Sequence, residues 1–229
     1  MTKRGRTTAV LVATVLAACL ALAGCSTKHP RFSENLTEII DPISSFSATS
    51  LQDWKDLGDA IVAAQVTAER PDGGSASEPA GANGVYGRLI DVQVLQTYWQ
   101  RGPRFTPPQR FTTKALGYVL HGNQEQPIVA RGEPRLEKGH VYLLVIARFG
   151  STWAGLGNGA EVPFDNGTIG VGEWDGRDKN VEQPAIDSLL GDNAAQLQAA
   201  INRTQPDPRA ALYDNLTPDQ RAKKLGIGK

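Results

Sequence analysis

The run from His140 to Phe149 reads His-Val-Tyr-Leu-Leu-Val-Ile-Ala-Arg-Phe, with Val141, Leu143 and Val145 on one side of an extended chain and Leu144 and Ile146 on the other. Successive side chains of a strand point to opposite faces. A strand apolar on both sides is therefore central and buried, and any fold of this chain must be a sheet built around it.

Other stretches supply the rest of such a sheet. The β-branched segment from Asp59 to Glu69 ends at Pro71-Asp-Gly-Gly74, and Arg88 to Trp99 alternates Ile90, Val92 and Val94 with Asp91 and Gln93. Further strands are expected at Ala115 to Leu120 and Ile128 to Ala130. Glu161 to Phe164 and Thr168 to Val171 flank Asp165-Asn-Gly167, a hairpin signal, because Asn-Gly readily takes the positive φ of a tight turn. Gly150 to Gly159 reads as a loop.

Helices punctuate this pattern. Ser50 as N-cap with Asp53 at the third helical position opens a short helix that carries Leu51, Trp54 and Leu57 and stops at Gly58. Ala185 to Arg203 reads as a helix broken near Gly191-Asp192, with Ile186, Leu189, Leu190, Leu197 and Ile201 on one side. A last short helix begins at Thr217-Pro218 and stops at Gly226. The chain is thus expected to be mainly β, with a domain over residues 50–203 and a polar tail with a short helix over 204–229.

The N-terminus is of another kind. Lys3, Arg4 and Arg6 precede an uncharged run of 18 residues, Thr7 to Gly24, rich in Ala, Val and Leu, the order of a secretory signal. A bilayer-spanning helix needs ~17 to 25 apolar residues, and this run sits at the short end with polar Thr inside it. It closes on Leu22-Ala23-Gly24-Cys25, which resembles a bacterial lipobox. The resemblance implies that residues 1–24 are removed as a lipoprotein signal peptide and that Cys25 is lipidated. It also places the protein on the cell membrane, lipid-anchored at the extracytoplasmic face. Residues 25–49, interrupted by Pro30, Pro42 and several serines, read as a tether, although Ile39, Ile40, Ile43 and Phe46 suggest that its end packs on the domain.

The two cysteines, Cys19 and Cys25, both lie in that N-terminal region, so the domain must fold without disulfides. Loss of residues 1–24 removes Lys3, Arg4 and Arg6 and no acid, which leaves a mildly acidic protein. That balance argues against nucleic acid as a partner.

The order of short helix, Asp-Ala-Ile-Val strand, Leu-Ile-Asp-Val-Gln-Val-Leu strand, Leu-Glu-Lys-Gly-His-Val-Tyr-Leu-Leu-Val strand, hairpin and last helix resembles small secreted barrels of the OB-like netrin-module and metalloprotease-inhibitor type. The resemblance implies a single OB-like, partly open β-barrel with a short N-terminal helix and a C-terminal covering helix; a β-sandwich is the alternative. The cysteines of that family's animal members are missing. Its inhibitors chelate zinc through a free N-terminal cysteine, a chemistry that a lipidated Cys25 does not offer.

Motifs for catalysis are sparse. His29, His121 and His140 are not at metal-ligand spacing, and no HExxH, GxSxG or phosphate-loop signature occurs. No metal and no cofactor are expected. Glu173, Asp175, Asp178, Asn180 and Glu182 form an oxygen-rich stretch, but Lys179 interrupts it and the spacing is not that of an EF-hand, so it reads as a solvated acidic loop. The stretch Tyr98 to Lys114 is distinct. It interleaves Tyr98, Trp99 and Phe105 with Arg101, Arg104 and Arg110 and contains no acid. Arginine forks suit carboxylate or phosphate, and aromatic rings stack on sugars or partner side chains. These residues are the candidate surface for an envelope protein or an anionic glycan; the bland reading makes the aromatics core residues and the arginines a rim. The expected function is that of a non-enzymatic, membrane-anchored surface lipoprotein, with an envelope-modifying hydrolase or lyase as the alternative.

Overall fold

The computed structural model describes residues 37–41, 48–72, 85–121, 124–157 and 159–227. The signal segment, Cys25 and most of the tether, like His29, lie outside the described residues. Within them the chain is mainly β.

Strands run at Glu38–Ile40 (β1), Ala60–Pro71 (β2), Val85–Gln100 (β3), Arg110–His121 (β4), Gln124–Ala130 (β5), Val141–Phe149 (β6), Thr152–Gly155 (β7) and Glu161–Pro163 (β8). They form one eight-stranded sheet in the order β1-β5-β4-β3-β2-β6-β7, with β8 paired to β6. All pairings are antiparallel except β1 on β5. The sheet is not closed. It curls, however, because register shifts interrupt the β2–β3 ladder at Ile61/Val62, Ala63/Ala64 and Val66/Ala68, and each such irregularity bends its strand and adds twist. The curl brings β4 into contact with β7, which lies beyond β3, β2 and β6 in the strand order.

Helices occupy Leu51–Leu57 (α1), Pro184–Asp187 (α2), Ala194–Arg203 (α3) and Pro218–Leu225 (α4). Ser50 caps α1, with Asp53 answering in a capping box; Asn193 and Thr217 open α3 and α4 in the same way. Each cap satisfies amide groups that a helix start leaves without partners.

β2 and β6 divide the core between their two faces. Ile61, Leu143, Val145 and Val162 pack against Trp54, Ile186, Leu197 and Ile201 on the helix side. Val62, Ala64, Val66, Leu144 and Ile146 pack against Ile90, Val92 and Leu136 inside the curl. The double-sided apolarity of β6 has this cause, since Tyr142 through Ala147 are all buried.

Several boundaries differ from the sequence reading. The Gly150 to Gly159 stretch holds β7, which forms a hairpin on β6 with Phe149 opposite Thr152; Gly150, at φ 66°, makes that turn possible. The hairpin expected around Asp165-Asn-Gly167 does not form. Asn166 has the predicted positive φ of 56°, but β8 pairs with β6 instead. Asp165 spends its carboxylate on His140 Nδ1 at 2.6 Å and Val141 N at 2.7 Å. Residues 38–40, counted with the tether, form a strand of the sheet, and α4, counted with a polar tail, buries Arg221 and Ala222 against the domain.

Trp54 is completely buried and its Nε1 donates to Ala48 O and Gly159 O, both at 3.1 Å. Trp54→Ala is expected to cost about 3–5 kcal/mol, read as a lower urea midpoint with an unchanged slope.

Candidate functional site

β3 delivers Tyr98 and Trp99 to the end of the sheet, and a turn of 3-10 helix at Pro103–Phe105 carries the chain round to β4. Pro107 and Pro108 keep the rest of the connection free of regular structure. The candidate residues separate here into inward and outward sets.

Tyr98 is buried with its ring edge-on to Phe164 at 6.1 Å, and Phe105 is buried too. Trp99 is half-buried under Lys55 Nζ, 5.6 Å from its ring. The Arg101 side chain is only 6% exposed and donates to the carbonyls of Lys55, Asp56 and Gly58 at 2.6 to 2.8 Å. These are the open carbonyls at the end of α1, so Arg101 caps that helix. Tyr98, Phe105 and Arg101 are thus structural in position. Arg104 and Arg110 face solvent. Arg104 lies over the Phe105 ring at 4.7 Å and reaches Asp214 Oδ2 at 3.1 Å; Arg110 meets Gln93 Oε1, its cross-strand neighbour, at 3.3 Å.

Beneath this turn lies a hollow of about 270 Å³. Arg104, Phe105, Arg148, Asp214 and Arg221 line it, and Asp59 forms its floor. Asp59 is fully buried; its Oδ1 stands 2.7 Å from Arg221 Nη2 and 3.3 Å from Arg101 Nε, close ionic contacts without hydrogen-bond alignment. Its Oδ2 accepts from Arg148 N at 2.8 Å. Burial and the neighbouring Arg221 push the Arg101 guanidinium below its ordinary value, while Asp59 and Asp214 oppose that shift. Arginine stays charged across such a shift. Asp59 and Asp214 therefore offset Arg101 and Arg221. Arg104 shares Asp214 with Arg101, so the four arginines outnumber the two acids, and Arg148 meets no acidic side chain among the described residues.

Arg148, Asp214 and Arg221 were not singled out in the sequence. Arg148 had a visible signal, as the cation that ends the apolar run of β6. Arg221 had none, because the N-cap of α4 locates a helix and does not say where it docks.

The remaining chemistry-bearing residues are occupied in the fabric of the fold. Glu173 accepts from Arg135 N, Leu136 N and Tyr142 Oη, Asp178 pairs with Arg131 at 2.7 Å, and Asp175 accepts from Thr37 Oγ1. His121 faces Glu38 at 3.3 Å, whereas His140 meets Asp165. Among the described residues no group of three or more metal-ligating side chains assembles.

A buried charge left without its counter-charge costs several kcal/mol. Asp59→Ala is expected to destabilise by about 3–5 kcal/mol, and added salt should change that cost little, since a buried pair is poorly screened. Chemical denaturation at low and high salt measures both. No protein-family model matches the chain, and no curated protein matches it.

Proposed function

We propose that the protein is a membrane-anchored surface lipoprotein, held by a lipid on Cys25, that binds an anionic partner without chemically altering it. The partner is an envelope protein or a glycan that presents carboxylate or phosphate groups. The observation that carries this reading is the pair Arg104 and Arg148 at the mouth of a hollow whose other arginines are already neutralised. The Arg148 fork, which no acidic side chain meets among the described residues, and the exposed Arg104 fork, which Asp214 contacts through one nitrogen, suit such groups. Phe105 beneath Arg104 and half-buried Trp99 nearby add ring surface.

The finer architecture belongs to the same proposal. A sheet that curls until β4 touches β7, with α1 before it and α3 beyond it, fits an OB-like, partly open barrel better than two stacked sheets. The hydrolase or lyase alternative has one observation on its side, a cleft that contains Glu133 and Glu161. Among the described residues no aromatic side chain lines that cleft to support a sugar ring, and Glu161 is buried beside it.

Full-length protein in detergent, passed over an immobilised acidic polysaccharide, should be retained and should elute with rising salt. Arg104→Ala/Arg148→Ala should elute at markedly lower salt while it still sediments with membranes. Cys25→Ser should lack the acyl mass that wild type carries on that residue, read by mass spectrometry of the intact protein. Retention of the double variant equal to wild type would sink the arginine proposal, and wild-type protein without acyl mass on Cys25 would sink the anchor.

A further inference from the structure

The hollow beneath the Pro103–Phe105 turn holds more than arginines. One wall is the stretch Asp214, Asn215, Leu216 and Thr217, which links a 3-10 turn at Ala210–Tyr213 to α4. Arg221 fixes that stretch, since its Nε and Nη2 donate to Tyr213 O and Asp214 O, both at 3.4 Å. Arg148 Nη1 reaches Arg104 O at 3.4 Å, which sets the two mouth arginines at one rim. At about 270 Å³ the hollow is just smaller than the roughly 300–1,000 Å³ of drug-sized sites. It suits one ring-sized group rather than a run of polymer chain.

The polar groups of this wall have bonding capacity left. The exposed Asn215 side chain makes no hydrogen bond among the described residues, and a side-chain amide both donates and accepts. The Asp214 side chain is 27% exposed. Its Oδ2 stands 3.1 Å from one Arg104 nitrogen, while Oδ1, although 3.5 Å from Arg101 Nη1, has no hydrogen bond. An ionised carboxylate offers about four lone-pair sites, so Asp214 can accept further donors. Thr217 Oγ1 accepts from Gln220 N at 3.4 Å, which leaves its own proton free to donate. Phe105 and Leu216 add apolar surface beside these groups.

Cations and acceptors in one small hollow set opposite demands. A bare anion drawn to Arg104 and Arg148 also meets the Asp214 carboxylate, with buried Asp59 at the floor. A ligand that carries hydroxyl donors beside its anionic group turns Asp214 from a repulsive neighbour into an acceptor. An aspartyl or glutamyl side chain brings the anion alone. A sugar acid holds anion and donors on one rigid ring, and a rigid group loses less entropy when it binds.

On the reading of Arg104 and Arg148 as an anion site, we propose that the hollow takes a single acidic sugar unit of a glycan. Its anionic group lies on Arg148 and Arg104, its hydroxyls on Asn215 and Asp214, and its ring against Phe105 and Leu216. The anionic group is a carboxylate or a phosphate, which the same two forks accept.

Ligand-observed NMR titration of the full-length protein in detergent separates these two sources, with glucuronate in one arm and glucose-6-phosphate in the other. The arm that binds should do so at least about tenfold more tightly than its hydroxyl-free counterpart, cyclohexanecarboxylate or cyclohexylmethyl phosphate. Uncharged glucose should be weaker than the better sugar acid by at least about the same factor. Asn215→Ala, a change at an exposed position, should shrink the lead of the sugar acid over its hydroxyl-free counterpart several-fold. Three results would overturn the sugar inference and leave the anion site standing: counterparts that bind as tightly as the sugar acids, a lead that Asn215→Ala leaves intact, or acetyl-Glu-amide that matches the better sugar acid. Silence from every anion would overturn both. The ligand comparison on wild type stands even where the variant folds poorly.

Discussion

The carboxylate of Asp59 is the group on which the rest of the fold depends. It sits where α1 ends and β2 begins, fully buried, and draws Arg101 from the exit of β3 and Arg221 from α4 onto one spot. Two guanidinium groups brought out of water need a negative charge near them and acceptors for their remaining hydrogens. Asp59 supplies the first, and the open carbonyls at the end of α1 supply the second: Arg221 reaches Leu57 O at 2.7 Å, and Arg101 takes the others. Helix α1 is thereby fastened at its C-terminal end by the same groups that dock α4. The docked helix in turn holds Trp54 against the sheet. Lys55 and Asp56 extend the stitching, since Lys55 Nζ donates to Ile201 O and Thr204 O, and Asp56 accepts from Asp207 N. Burial lowers the pKa of Lys55 and raises that of Asp56, and these contacts offset part of that desolvation.

This arrangement also shapes the surface at that end of the sheet. Once Asp59 and Asp214 have neutralised the inner arginines, Arg104 and Arg148 project from a rigid base rather than from a loose loop. A charged group held by packed neighbours loses less entropy when it meets a partner. Residues 88–120 hold Arg88, Arg101, Arg104, Arg110 and Lys114 against Asp91 alone, and this basic character is therefore only partly a surface property. Arg88 and Arg101 turn inward and are consumed there, while Arg104, Arg110 and Lys114 stay exposed.

How much of this was legible follows from which forces act over short range. The alternation of β3, the double-sided apolarity of β6 and the capping boxes at Ser50 and Thr217 are local patterns, and each corresponds to an observed element. β7 escaped because Thr152–Gly155 is too short to show a period, and Gly150 alone marked its turn. The expected hairpin at Asp165-Asn-Gly167 had correct turn chemistry, yet strand pairing is decided by what lies alongside, and β6 offered β8 an edge. At the candidate surface, aromatic and basic residues were visible, but their direction was not. A buried arginine is spelled like an exposed one; Asp59 and the carbonyls at the end of α1, distant in sequence, distinguish Arg101 from Arg104. Glu161 was hidden for the same reason, because its burial depends on strands closing over it from elsewhere in the chain.

Asp59 and Glu161 pose the same physical problem and receive opposite solutions. Both are buried carboxylates, and the interior tolerates neither as a bare charge. Asp59 is compensated by two guanidinium groups that are themselves hydrogen-bonded to backbone, so no solvent ion can replace them without dismantling α1 and α4. Glu161 is compensated by a proton, the one counter-charge that exchanges freely with water, and it does so at the side of an open cleft. The first solution is permanent and the second is exchangeable. That difference, rather than the number of charged groups at either place, is why Asp59 ties separate elements together and Glu161 does not.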